Sequence, residues 1–281
     1  ELNLYDDLVQ FLLKSSDSFE ISLNLSIEVL NIFKEYKSLY TINKKLHRNK
    51  DKDFYTEFFE YIPSSPITGN FYYMLICSFD TTLNYIIEFV NEYIEYYKIN
   101  KTQNSLELYR FEIEEMPYEH YGNRDLWEMY RGNNPSLPTL LISMHMALEK
   151  TLLDWSFETE EKKLTFEKTL FHILKNSKSI SLTSVIASCV FKYPDYTTNV
   201  AMTLLKEKNF YILDNSRQVA DKSLHRDSLR YLNGKSSNEI YIEALKILDN
   251  FSHRKISFFD LIDLTWSSFF VTLLRLFYAV Y

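Results

Sequence analysis

The chain has 281 residues, 46% of them hydrophobic, and 31 Lys and Arg against 38 Asp and Glu give a formal net charge of −7. This suffices for one large or two ordinary domains with a sizeable core, and it excludes the sparse, highly charged composition of a disordered chain. Four glycines stand where average usage would supply roughly five times as many, and no GxGxxG, Walker lysine loop or GxSxG elbow is present, which excludes the enzyme classes built on those turns and disfavours tight hairpins.

Apolar residues recur mostly at three- and four-residue spacing, which predicts helix after helix. Helices are expected over about 4–14, 18–42, 53–61, 71–98, 104–116, 124–131, 136–155, 160–175, 181–193, 196–208, 216–232, 237–250 and 257–280. In the second of these, Leu23, Ile27, Leu30 and Phe33 form an apolar stripe opposite Asn24, Glu28, Asn31 and Glu35. Four starts carry a side-chain acceptor with Glu three residues on, the arrangement that satisfies orphan amide donors: Asp17 with Glu20, Asn104 with Glu107, Asp125 with Glu128 and Ser236 with Glu239. Breaks fall at 63–70, 117–123, 132–138, Pro194 and 233–235. The expected fold class is therefore all-α, an irregular helical bundle or α-solenoid-like array of short-linked helices, with no period that names a helical repeat family. The stretch 63–70 either divides an N-terminal helical segment, 1–62, from a main helical domain, 71–281, or is a loop within one domain.

The one concentrated basic stretch, 44–52, reads as a solvated turn, and the lack of a broad positive field argues against nucleic acid as a partner. Cys77 and Cys189 lie in apolar runs without metal or redox spacing and read as reduced core residues, which favours a cytoplasmic protein. No secretion signal opens the chain, and its first residue, Glu1, is what a processed chain or a fragment of something longer would show. The run 256–281 is densely apolar and aromatic, but Asp260, Asp263 and Arg275 interrupt it, so a buried helix or an interface is expected and a membrane span is not.

His145 and Glu149 have the spacing of two metal ligands on a helix, yet no third ligand follows at a diagnostic offset, and an ordinary helical pair is expected. Glu112, Glu114, Glu115, Glu119 and His120 read as a solvated acidic helix surface on which 112 and 115 share a face. Asp214, Arg217, Asp221 and His225 step along one face as a surface ion-pair ladder. No serine or cysteine has a His and an acid at a recognisable offset, so no catalytic, cofactor or metal site is assigned. The most unusual stretch is 121–135, YGNRDLWEMYRGNNP, which gathers two of the four glycines with two arginines and a tryptophan. Arg and Trp are enriched at binding hot spots, and Arg grips phosphate or carboxylate with two hydrogen bonds. Arg124, Trp127, Arg131 and Asn133 are accordingly the candidate binding residues, the alternative being a packed turn anchored by Trp127.

The segments 126–153, LWEMYRGNNPSLPTLLISMHMALEKTLL, and 181–194, SLTSVIASCVFKYP, continued by 201–210, AMTLLKEKNF, and 213–217, LDNSR, resemble the helical region of very large bacterial ATPases of the STAND class that act in antiviral defence. The likeness covers a third to a half of the chain. Proteins of this kind carry their ATPase loops elsewhere and use helical regions to sense viral proteins and to assemble, so no catalytic residue carries over. The resemblance implies a non-catalytic scaffold or sensor segment of a larger intracellular protein, contacting a protein partner or a neighbouring domain. The other reading is a self-contained helical enzyme with a site near 122–138, using 124–131 and the acidic stretch before it.

Overall fold

A computed structural model describes residues 8–9, 11–12, 18–47, 64–100, 106–132, 137–224 and 252–262. They are mostly helical. The order is α1 (Phe19–Asn24), α2 (Ser26–His47), α3 (Phe71–Cys77), α4 (Phe79–Asn100), β1 (Glu107–Ile113), β2 (Met116–Gly122), α5 (Arg124–Trp127), α6 (Thr139–Leu153), α7 (Glu160–Asn176), α8 (Ile180–Lys192), α9 (Thr198–Leu205) and α10 (Lys208–Leu224). Short 3-10 turns occupy Met129–Arg131, Pro194–Tyr196 and Ser252–Lys255. The expected helices 53–61 and 237–250 lie outside the described residues, as do Asp17, Asn104, Ser236 and most of the apolar run from 263 onward.

Helix α8 is the axis of the body. Its sequence is apolar all round apart from small hydroxyl residues, so it has no face to offer water, and every residue from Ile180 to Phe191 is buried. Its start is set by Ser179, whose Oγ accepts from the Ser181 amide at 3.1 Å, and α7 is capped likewise by Thr159, which accepts from Lys162 N at 3.2 Å. Around α8 pack α6, α7, α9 and the β1–β2 hairpin. Aromatic rings close the layers: Trp127 stacks on Phe210 at 5.2 Å, and Phe258 meets Phe191 at 5.0 Å and Tyr211 at 5.5 Å. At the other end, Phe33 of α2 meets Phe71 of α3 at 5.7 Å. The 64–70 loop is tied to the N-terminal residues by Asn70, whose Nδ2 donates to Leu12 O and to Ser18 Oγ, both at 2.6 Å. One continuous buried core runs from Val9 to Leu261.

The structure corrects several expectations. The predicted helix 104–116 is strand: β1 pairs antiparallel with β2, Tyr109 opposite His120 and Phe111 opposite Tyr118. Tyr109, Phe111 and Ile113 point inward while Arg110 and Glu112 point out, a two-residue period in β-favouring residues that the helical reading overrode. The glycine shortage did not prevent a tight hairpin, because Glu114 and Glu115 themselves adopt φ of 53° and 65°. The carboxylates of the acidic stretch therefore sit on a hairpin, whereas His120 is turned inward and buried.

Other differences concern breaks and faces. The helices expected over 18–42 and 71–98 are each divided, at Leu25 and Ser78, and the two breaks come together through a 2.7 Å hydrogen bond between Ser26 Oγ and Ser78 Oγ. The buried face of α2 carries Ser26, Val29, Leu30, Phe33 and Tyr36, and Ile27 of the expected stripe is exposed. Lys44 to His47, read as the opening of a turn, continue α2. The helix expected to run to 208 ends at Leu205, and the one expected to start at 216 starts at Lys208. Cys189 is a buried free thiol as expected, but Cys77 is exposed.

Candidate functional site

The stretch 121–135 folds as a packed turn. Gly122 ends β2 directly beneath Ile180, whose Cγ1 would lie 2.1 Å from any Cβ placed there, so the close approach of hairpin to α8 requires glycine. Asn123, and not Asp125, caps α5, its side chain accepting from Leu126 N at 3.1 Å. Gly132 ends the Met129–Arg131 turn at φ 74°, the left-handed conformation glycine adopts without strain.

Of the four candidate binding residues, Arg124 alone among the described ones presents its side chain to water, where it pairs with Glu128 at 2.8 Å. Trp127 is fully buried against Phe210 and Phe258. Arg131 turns inward to Asp221 at 3.0 Å, its side chain 8% exposed. Asn133 lies outside the described residues.

Arg131 leads to a dense cluster of charged side chains among the described residues. Asp221 also receives Arg217 Nη1 at 2.8 Å, and Arg217 Nε donates to Asp214 Oδ1 at 2.7 Å. Arg254, from the Ser252–Lys255 turn, pairs with Glu149 of α6. Glu149 Oε1 accepts from Ser188 Oγ of α8 at 2.6 Å, and Ser188 Oγ lies 3.1 Å from His253 Nε2. With its own proton committed to Glu149, Ser188 accepts at that contact, so His253 Nε2 carries a proton and donates. Among the described residues three guanidiniums thus face three carboxylates, which makes the cluster charge-balanced. Asp214 and Arg217 were read as part of a surface ladder. The spacing was right but the side was wrong: both are buried, because Arg217 finds backbone acceptors in the carbonyls of Arg254 at 2.8 Å and Ile256 at 2.6 Å. His225 lies outside the described residues.

A second buried chain begins at Ser179. Ser179 Oγ lies 2.7 Å from Ser181 Oγ, which lies 2.8 Å from His145 Nε2, while His145 Nδ1 reaches Leu141 O at 2.6 Å. A carbonyl can only accept, so Nδ1 bears the proton and Nε2 accepts from Ser181. His120 is held the same way, Nε2 donating to Leu174 O at 3.0 Å and Nδ1 accepting from Thr183 Oγ1 at 2.7 Å. Burial lowers both imidazoles from 6.5 to about 4, so they are neutral at physiological pH.

His145 and Glu149, the spaced pair, serve separate partners, and among the described residues no group of three His, Cys, Asp or Glu could hold a metal ion. The Ser188, Glu149 and His253 constellation has residue types suited to acyl transfer but not the arrangement. The acid contacts the serine in place of the histidine, and all three are sealed from solvent. Burial first, and the Glu149 carboxylate second, push the Cys189 thiol well above its ordinary range, which keeps it a protonated core residue. What the arrangement does is lock helices to one another through buried hydrogen bonds and ion pairs. One signal in the sequence pointed to it: Ser181, Ser184 and Ser188, at three- and four-residue steps in an otherwise apolar helix, mark a buried polar stripe. Among the described residues no helix is long and apolar enough to cross a membrane. No family model matches the chain, and no curated protein matches it.

Proposed function

We propose that this chain is a non-catalytic helical scaffold or sensor segment of a larger intracellular protein of the antiviral STAND kind, contacting a protein partner or a neighbouring domain through a helix face. The observation that carries this reading is a pair of exposed apolar side chains on α10. Ile212 and Val219, two turns apart with Asn215 and Ser216 between them, are 66% and 57% exposed, and Phe259, at 53%, meets Tyr211 of the same helix. Large apolar side chains left in water along a single face mark contact surfaces, unlike those scattered singly. The sealed polar clusters agree with a positioning role, since a reacting group needs access to its substrate. The segments that carry the STAND likeness also supply core residues, Leu126, Leu141, Met144, Val185 and Leu204 among them, so the likeness concerns the scaffold.

The test uses the chain as bait in infected and uninfected host cells, beside an Ile212→Glu, Val219→Glu double variant. The expected result is a protein held by the parent chain and lost by the variant, whose melting temperature is unchanged because both positions are exposed. Equal retention by both chains overturns the α10 face as the contact surface.

A further inference from the structure

The two edges of the β1–β2 sheet are not alike. Glu114 and Glu115, both at positive φ, join the strands by a two-residue turn, so Ile113 and Met116 form a hydrogen-bonded pair. In the one-to-one register Phe111 with Tyr118 and Tyr109 with His120 do likewise, and the residues between them turn their amides and carbonyls out to the edges. On β2 these are Pro117, which has no amide to give, Glu119, and Tyr121, whose amide donates to Lys178 O at 2.7 Å. On β1 they are Leu108, Arg110 and Glu112, and among the described residues no backbone group meets them. Arg110 and Glu112 are exposed, and β1 carries no proline or bulge to keep another strand away. We propose that this edge of β1 pairs antiparallel with the same edge of a second copy of the chain, making one continuous sheet across a two-fold axis at Phe111.

The charges select both the occupant and the register. Outward residues pair only with outward residues, which puts the two-fold axis at a residue of the strand. With the axis at Phe111, Arg110 lies opposite the partner's Glu112 and Glu112 opposite the partner's Arg110, each pair exchanging amide and carbonyl. An axis at Arg110 or at Glu112 sets that residue against its own copy, and like charges directly opposed repel. An axis at Tyr109 sets Arg110 against the partner's Leu108 and leaves its charge unmatched. The antiparallel strand whose charges complement Arg-x-Glu is itself Arg-x-Glu, so the edge is complementary to itself, as the contact of a two-fold dimer must be. Arg110 already pairs with Glu119 of its own hairpin at 3.0 Å, its side chain 71% exposed, and its guanidinium has further donors for the partner's Glu112.

Sedimentation velocity on the full chain, beside the variants Arg110→Glu and Glu112→Arg, tests this. The parent chain should pass from monomer to dimer as its concentration is raised. Each variant alone opposes like charges across the axis and should dimerise at least about tenfold more weakly. An equimolar mixture of the two variants brings opposite charges together again at both positions and should recover the parent's affinity. A parent chain that stays monomeric at every concentration overturns the proposal and leaves the edge to a strand of another protein. Variants that dimerise as the parent does overturn it as well, and so does a mixture that dimerises no better than its components. Should a variant fail to fold, hydrogen exchange on the parent chain decides: the amides of Arg110 and Glu112 should gain protection as the dimer forms, and unchanged protection overturns the pairing.

Discussion

Arg124, at the start of α5, and Arg131, at the end of the Met129–Arg131 turn, answer alanine substitution differently. Arg124 is 57% exposed in its pair with Glu128, and exposed pairs are worth about 0–1 kcal/mol, so Arg124→Ala should leave the urea midpoint nearly where it was. Arg131 is buried with Asp221, and removing one partner of a buried pair costs about 3–5 kcal/mol, at the lower end here because Asp221 keeps Arg217. From the sequence both arginines read as candidate binding residues, which calls for side chains open to a partner. Burial of Arg131 reverses that expectation for one of the two. Urea denaturation of the two single variants checks it, and equal midpoints would refute the difference.

Among the elements, the β1–β2 hairpin is where local preference and final structure disagree most. Glu114 and Glu115 hold positive φ at the turn, a conformation that costs an L-residue about 1–2 kcal/mol and costs glycine nothing. Glu115→Gly should therefore stabilise the protein by up to about 1 kcal/mol, the reverse of the usual effect of adding glycine. Glu114 is the poorer choice because it also pairs with Lys175 at 2.7 Å. Differential scanning calorimetry gives the sign, and a lower melting temperature for Glu115→Gly would show that the turn is not strained. The strand is stable despite its turn because Tyr109, Phe111 and Ile113 bury against the helical body, with Phe111 edge-on to His120 at 4.7 Å, and each such ring contributes about 1.5–3 kcal/mol.

For the whole molecule, the buried histidines set the response to pH. Burial lowers His120 and His145 to about 4 and His253 to about 3, against 6.5 for the free side chain. An unfolded chain takes up these protons as pH falls through 6.5, and the folded chain does not until about 4. Their contribution to stability is therefore complete above 6.5 and is lost as pH falls from 6.5 toward 4, by about 1.4 kcal/mol per pH unit for each histidine. Chemical denaturation at pH 7 and pH 5 should show the loss, reduced by about 2 kcal/mol in His145→Gln. A stability that is constant or rises toward pH 5 would mean the imidazoles are protonated in the fold.

The sequence by itself determined the helical architecture, because apolar spacing, capping residues and scarce glycine act over a few residues and need no partner from afar. The bounds of α6, α7 and α8 lie within a few residues of those the pattern predicts. It also singled out 121–135 and the spacing of Asp214, Arg217 and Asp221. Only tertiary structure decided which side of each element faces inward. Spacing places residues on a common face, but whether that face meets water depends on what packs there. Arg217 is buried because carbonyls 37 and 39 residues away come to receive it, and Trp127 because Phe210 and Phe258 close over it. Tyr109, Phe111 and Ile113 lie in strand because the helical body offers them a surface, and a buried two-residue period outweighs helix propensity wherever such a surface exists.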